Sequence, residues 1–167
     1  HADKARHDSP LGSEGPRAVP TIDAGQVFTV GGTGILNALD LATGRLLWTR
    51  NILKDSGSSE PSWGVAVSPL VRGDHVIVSA GGSSGRALAA YDRTTGEPVW
   101  AQGSGGLAYA SPVLMRLAGR EQVVMLNSSS VAGHDPETGA MLWEQSFPKD
   151  QPNVAQPIPI SQSRVLF

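Results

Sequence analysis

Asp135-Pro136-Glu137-Thr138-Gly139-Ala140-Met141-Leu142-Trp143 decides how the rest of the chain is read, because the sequence writes it three times. The other copies are Asp40-Leu41-Ala42-Thr43-Gly44-Arg45-Leu46-Leu47-Trp48 and Asp92-Arg93-Thr94-Thr95-Gly96-Glu97-Pro98-Val99-Trp100. All three read D-x-x-T-G-x-x-x-W, each after a short run of small and apolar residues, and successive copies lie 52 and 43 residues apart. Repetition at such a period marks an array of supersecondary units.

The nine residues make sense as one β-hairpin. Asp accepts a hydrogen bond from a backbone N–H two residues on and starts the turn; Gly supplies the φ > 0 position that closes it. Side chains then alternate, so Leu46 and Trp48, or Met141 and Trp143, share a face of the outgoing strand. A Trp at the same place in every unit buries a large flat surface against its neighbour. Asp40, Thr43, Gly44 and Trp48 are therefore expected to be blade-docking residues. So are Asp92, Thr95, Gly96 and Trp100, and Asp135, Thr138, Gly139 and Trp143. The repeated Asp reads as a turn residue rather than a catalytic acid.

A second series of landmarks aligns on proline, at Pro20, Pro69, Pro112 and Pro157. Each opens a segment that runs into a turn and a short strand, where a missing N–H does least harm. Proline to tryptophan is 28 residues in the first unit and 31 in the next two; tryptophan to the following proline is 21, 12 and 14. A near-constant four-strand unit with variable connections describes a propeller blade. The expected division is a polar lead-in over 1–14, blades over 15–50, 64–102 and 103–146, and the start of a further blade over 147–167. The polar, Gly/Ser-rich stretch 51–63 reads as an inter-blade loop.

Composition agrees. The 167 residues include 20 Gly and 12 Pro with 17% charged residues, and no long stretch keeps helical apolar spacing free of both, so the class is all-β. A net charge of −2 gives no electrostatic case for nucleic acid. No apolar run approaches the length of a transmembrane helix. With no cysteine there is no disulfide and no Cys-based zinc site or nucleophile.

The three D-x-x-T-G-x-x-x-W copies, with Ala38 and Ala90 two places before the Asp, resemble the pyrroloquinoline-quinone-type propeller repeat over about residues 15–167. Kelch blades carry a Gly pair, as at Gly31-Gly32 and Gly81-Gly82, but the third unit has Asn127-Ser128 there. WD40 repeats need an Asp after Trp, which no unit has. The resemblance implies a ring of about seven or eight blades, with the remaining blades supplied by a longer chain or a second copy. Some members of that family are quinone-dependent alcohol or sugar dehydrogenases; others, such as an outer-membrane assembly lipoprotein, are scaffolds of the bacterial envelope. For this chain the resemblance implies a non-catalytic scaffold or binding module of the periplasm or cell envelope, without cofactor or metal. The alternative is a dehydrogenase fragment holding pyrroloquinoline quinone and calcium.

In a propeller the joints between blades cross one face towards the central channel. Residues just before each aligned proline are therefore expected to converge there: Glu14 and Arg17, Trp63, Tyr109, and Asn153 with Gln156. An Arg, two aromatics and two amides suit a protein or peptide partner or a carbonyl-rich ligand. No catalytic residue is assigned. The acids of the joints, Glu14, Asp55, Glu60 and Asp150, are scattered, and His75 and His134 sit on strands of different units. Asn127-Ser128-Ser129 has the form of a glycosylation sequon.

Overall fold

Each repeat folds as an antiparallel meander of four strands taken in chain order. The computed structural model describes residues 17–82, 85–148 and 153–167. The first sheet holds β1 (Thr21–Asp23), β2 (Gln26–Val30), β3 (Ile35–Asp40) and β4 (Leu46–Asn51). The second holds β5 (Leu70–Arg72), β6 (His75–Gly82), β7 (Arg86–Asp92) and β8 (Pro98–Gln102). The third holds β9 (Val113–Leu117), β10 (Arg120–Leu126), β11 (Ser130–His134) and β12 (Met141–Ser146). Finally β13 (Ile158–Ser161) pairs with β14 (Arg164–Leu166). The chain is thus an all-β propeller segment of three full blades and the start of a fourth. Pro20, Pro69, Pro112 and Pro157 each stand immediately before a first strand, outside its ladder.

The strand sequences explain the packing. A middle strand buried on both faces reads as a nearly unbroken apolar run, as His75-Val76-Ile77-Val78-Ser79-Ala80 does. Its alternate residues serve two cores. Val76, Val78 and Ala80 join Phe28, Leu36, Ala38 and Trp48 between the first and second blades. Ile77 joins Leu88, Ala90, Val123 and Met125 between the second and third. A further core packs Met115, Leu117, Val124 and Val131 against Val165 of the fourth unit. Stability therefore lies largely between blades. At the ends of the arc Ile22, Ile158, Ile160 and Leu166 are exposed.

The turns follow the expected chemistry and add to it. Gly44, Gly96 and Gly139 have φ of 70°, 73° and 72°. Asp92 Oδ1 accepts from the backbone N–H of Thr94 (2.9 Å) and Thr95 (2.7 Å) and from the Thr95 hydroxyl (3.0 Å). The Thr95 hydroxyl oxygen in turn accepts the N–H of Glu97 at 3.2 Å. Asp40 and Asp135 make the same fan with Thr43 and Thr138. Thr is thus part of the turn, a role the sequence pattern shows only as recurrence. The bonds hold all three carboxyls below the usual aspartate range. For Asp40 the Thr43 hydroxyl is the main cause, and for Asp92 the Thr95 N–H. For Asp135 burial pushes upward, but the bonds from Thr138 and Arg120 outweigh it.

The first joint differs from the expected loop. Residues Ile52–Ser56 form a short helix, α1, capped by Asn51 Oδ1 accepting from Lys54 N–H at 3.0 Å and ended by Gly57 at φ 71°. Its Ile52 and Leu53 are buried in the core between the first two blades. The Ser56 hydroxyl donates to Ala80 O at 3.0 Å. Of the polar residues that suggested a loop, Asn51 and Gly57 cap the helix, Lys54 is exposed, and those from Ser58 on continue as irregular chain; two adjacent apolar residues anchor the helix. Asp55 accepts from the hydroxyl of buried Tyr91 at 3.1 Å. Burial and the Asp55 charge push the Tyr91 phenol well above the usual tyrosine range.

Candidate functional site

The joints are held in step by serines placed before the prolines. Ser68 Oγ accepts from Val19 N–H at 2.9 Å, and Ser111 Oγ from Ser68 N–H at 2.8 Å, so the first blade entry is tied to the second and the second to the third. This ladder aligns the residues that lead into it.

Four of the six expected residues form a continuous line across successive joints. Arg17 Nη1 donates to Trp63 O at 2.7 Å. The Trp63 and Tyr109 rings lie 5.0 Å apart, tilted by 33°, and Trp63 N–H points to the Tyr109 hydroxyl oxygen at 3.4 Å. Tyr109 N–H donates to Asn153 O at 2.9 Å, and Asn153 Nδ2 donates to Asn127 O at 2.7 Å. Trp63 keeps 36% of its surface exposed, so the line is an open aromatic ledge flanked by a cation and an amide. Gln156 is exposed and, among the described residues, forms no bond to this line. Glu14 lies outside the described residues.

The joint carrying Tyr109 rests on the third blade, and this support was not read from the sequence. Gly103, at φ 82°, lies on the His134 ring: a Cβ there would sit 2.9 Å from Cε1. Ser104 Oγ donates to Glu144 Oε1 at 3.4 Å, and Ser130 Oγ to the same oxygen at 2.8 Å. Gly105 lies over Asn127, and Ser128 N–H donates to Gly106 O at 3.1 Å. The signal was present in the density of glycine in Gly103-Ser104-Gly105-Gly106, which marks close backbone approach. Asn127 is only 1% exposed and donates to Ser130 Oγ at 3.3 Å, so the sequon at 127–129 does not present its amide.

The two strand histidines have packing roles. His75 Nδ1 lies 3.3 Å from Pro136 O, with the ring edge-on to Trp100. His134 is fully buried; its Nδ1–H donates to Gly139 O at 2.9 Å, while Nε2 is buried without a partner among the described residues. Burial pulls the His134 pKa below its ordinary value, against the opposing effects of the Gly139 carbonyl and Glu144.

A family profile described as "Outer membrane protein assembly factor BamB" matches residues 4–160. The chain belongs to this family. BamB from Moraxella catarrhalis superposes with a TM-score of 0.61 at 24% identity, over 86% of this chain and 41% of that one. A quinohemoprotein alcohol dehydrogenase from Comamonas testosteroni superposes with a TM-score of 0.56 at 23% identity, over 79% of this chain and 21% of that one. Both likenesses show the propeller fold. The chain spans less than half the length of either. No curated protein matches it in sequence. No helix among the described residues is long and apolar enough to cross a membrane.

The quinone and calcium found in some propellers of this type need carboxylate and amide oxygens gathered around the cation. Here Asp55 of α1 is committed to Tyr91, and Glu14 and Asp150 lie outside the described residues. Among the described residues, no three His, Asp or Glu side chains come together.

Proposed function

We propose that this chain is part of a non-catalytic propeller of the bacterial cell envelope, a scaffold that binds a protein partner. Its remaining blades come from a longer chain or a second copy. Membership of the outer membrane protein assembly factor family over residues 4–160 carries this reading. The ledge of Arg17, Trp63, Tyr109 and Asn153 supplies a surface of the right chemistry: exposed aromatic area, a fixed guanidinium and amide groups. Aromatics and Arg are the residues that most often anchor a partner.

The test is genetic and biochemical. Deleting the gene should lower the amounts of outer-membrane proteins. The wild-type gene should restore them, and a Trp63→Ala, Tyr109→Ala double variant expressed to the same level should not. Unchanged outer-membrane proteins after deletion, with tight, calcium-dependent, one-to-one quinone binding to the intact protein in calorimetry, would instead identify a dehydrogenase fragment.

A further inference from the structure

His134 of the third blade sits under the chain leaving the second. Its ring is fully buried at the end of β11, with Gly103, the exit from β8, laid directly on it. In the neutral form Nδ1–H is taken by Gly139 O, and Nε2 faces the packed joint as a bare lone pair; among the described residues no group stands ready to accept a second proton there. A cation here has to find an acceptor for Nε2–H, and a buried unpaired charge is strongly disfavoured. The groups packed around the ring offer little compensation. From β12 comes Glu144, already accepting from Ser104 and Ser130. Asp135, next in sequence, is paired with Arg120 at 2.5 Å. Residues 100–106 of β8 and the joint carry no charge, and β7 offers Ala87 and β10 Val123.

What rests on the ring is the joint 103–110, whose far end places Tyr109 in the ledge. Along it follow the Ser104–Glu144 bond, the seat of Gly105 and Gly106 on Asn127 and Ser128, and the Tyr109–Asn153 bond. We propose that His134 is a proton-operated latch: neutral, it seats the joint 103–110 and holds the aromatic ledge together; protonated, it releases the joint and opens the ledge. The functional consequence rests on reading the ledge as the partner surface, but the latch itself does not.

The experiment is amide exchange on the intact protein at pH 7.5, 6.5, 5.5 and 5, corrected for intrinsic rates. It follows the Tyr109 and Ser128 amides, with the Val78 amide of β6 as control. Opening of the first two should rise on acidification by up to about tenfold per pH unit, the limit for a single proton, while Val78 stays protected. His134→Gln, neutral throughout, should abolish the acid dependence. Equal acid dependence in wild type and variant, or none in wild type, would overturn the latch. If the variant does not fold, the His134 ring signals in wild type decide. An Nδ1–H tautomer titrating below the ordinary histidine value, together with joint opening, supports the latch; titration at or above that value overturns it. Separately, a Trp63→Ala variant with intact function at pH 7.5 would sink the partner-surface reading and leave the latch standing.

Discussion

The indole of Trp48 lies against Gly96 of the next blade, so closely that a Cβ on Gly96 would sit 2.7 Å from Trp48 Cδ2. Trp48 Nε1 donates to Arg93 O in the same turn at 2.9 Å. Arg50, two residues on, donates from Nε to Gly96 O at 2.5 Å and pairs with Glu97. Trp100 repeats the contact on Gly139. The Thr-Gly turn is therefore both the end of one blade's third strand and the floor for the previous blade's tryptophan. This explains why the two halves of the motif recur together.

Gly96→Ala and Gly44→Ala separate these two duties. Both residues have positive φ, but Gly44 has open space around it. Gly44→Ala should cost about 1–2 kcal/mol for the left-handed backbone. Gly96→Ala should cost about 1–3 kcal/mol more, because the methyl displaces Trp48. Equal midpoint shifts in urea melts would show that the indole does not need the glycine.

Trp48 is 8% exposed and Trp63 36%. Trp48→Ala should destabilise by about 3–5 kcal/mol, as large aromatic truncations in cores do. Trp63→Ala removes one exposed aromatic pair, worth at most about 1.5 kcal/mol. The same melts measure both, and similar losses would remove the distinction between a docking and a surface tryptophan.

The three turn aspartates set an acid limit. Their folded pKa values lie below the ordinary aspartate value. The stability they add is complete above that value and is lost as pH falls through the depressed ones. Asp92→Asn keeps an acceptor but cannot titrate, so its melting temperature should fall less steeply than wild type between pH 5 and pH 2. Parallel slopes would mean the Asp92 fan does not respond to protonation.

Tyr91→Phe keeps the buried ring and removes the bond to Asp55. The loss should be about 1–3 kcal/mol for a hydrogen bond to a charged group, with α1 the element most loosened. A double-mutant cycle with Asp55→Ala checks it; additive effects would show that the two residues are not coupled.

Much of this was legible in nine residues. An Asp, a Thr and a Gly at fixed spacing determine a turn through contacts within that turn, and a Trp four places after the Gly determines that one face of the last strand is buried. Repeating that unit at blade spacing determines an all-β propeller segment. Proline positions marked the first strands because a missing N–H is a local fact. The convergence of Arg17, Trp63, Tyr109 and Asn153 also followed, since every joint must cross the same face. Only the tertiary structure decided what each tryptophan rests on, that Ile52 and Leu53 turn a polar joint into a helix, and that His134 lies under Gly103. Those contacts join residues distant in the chain through the angle between neighbouring blades. That angle is set by how whole sheets pack, and no local pattern of residues encodes it.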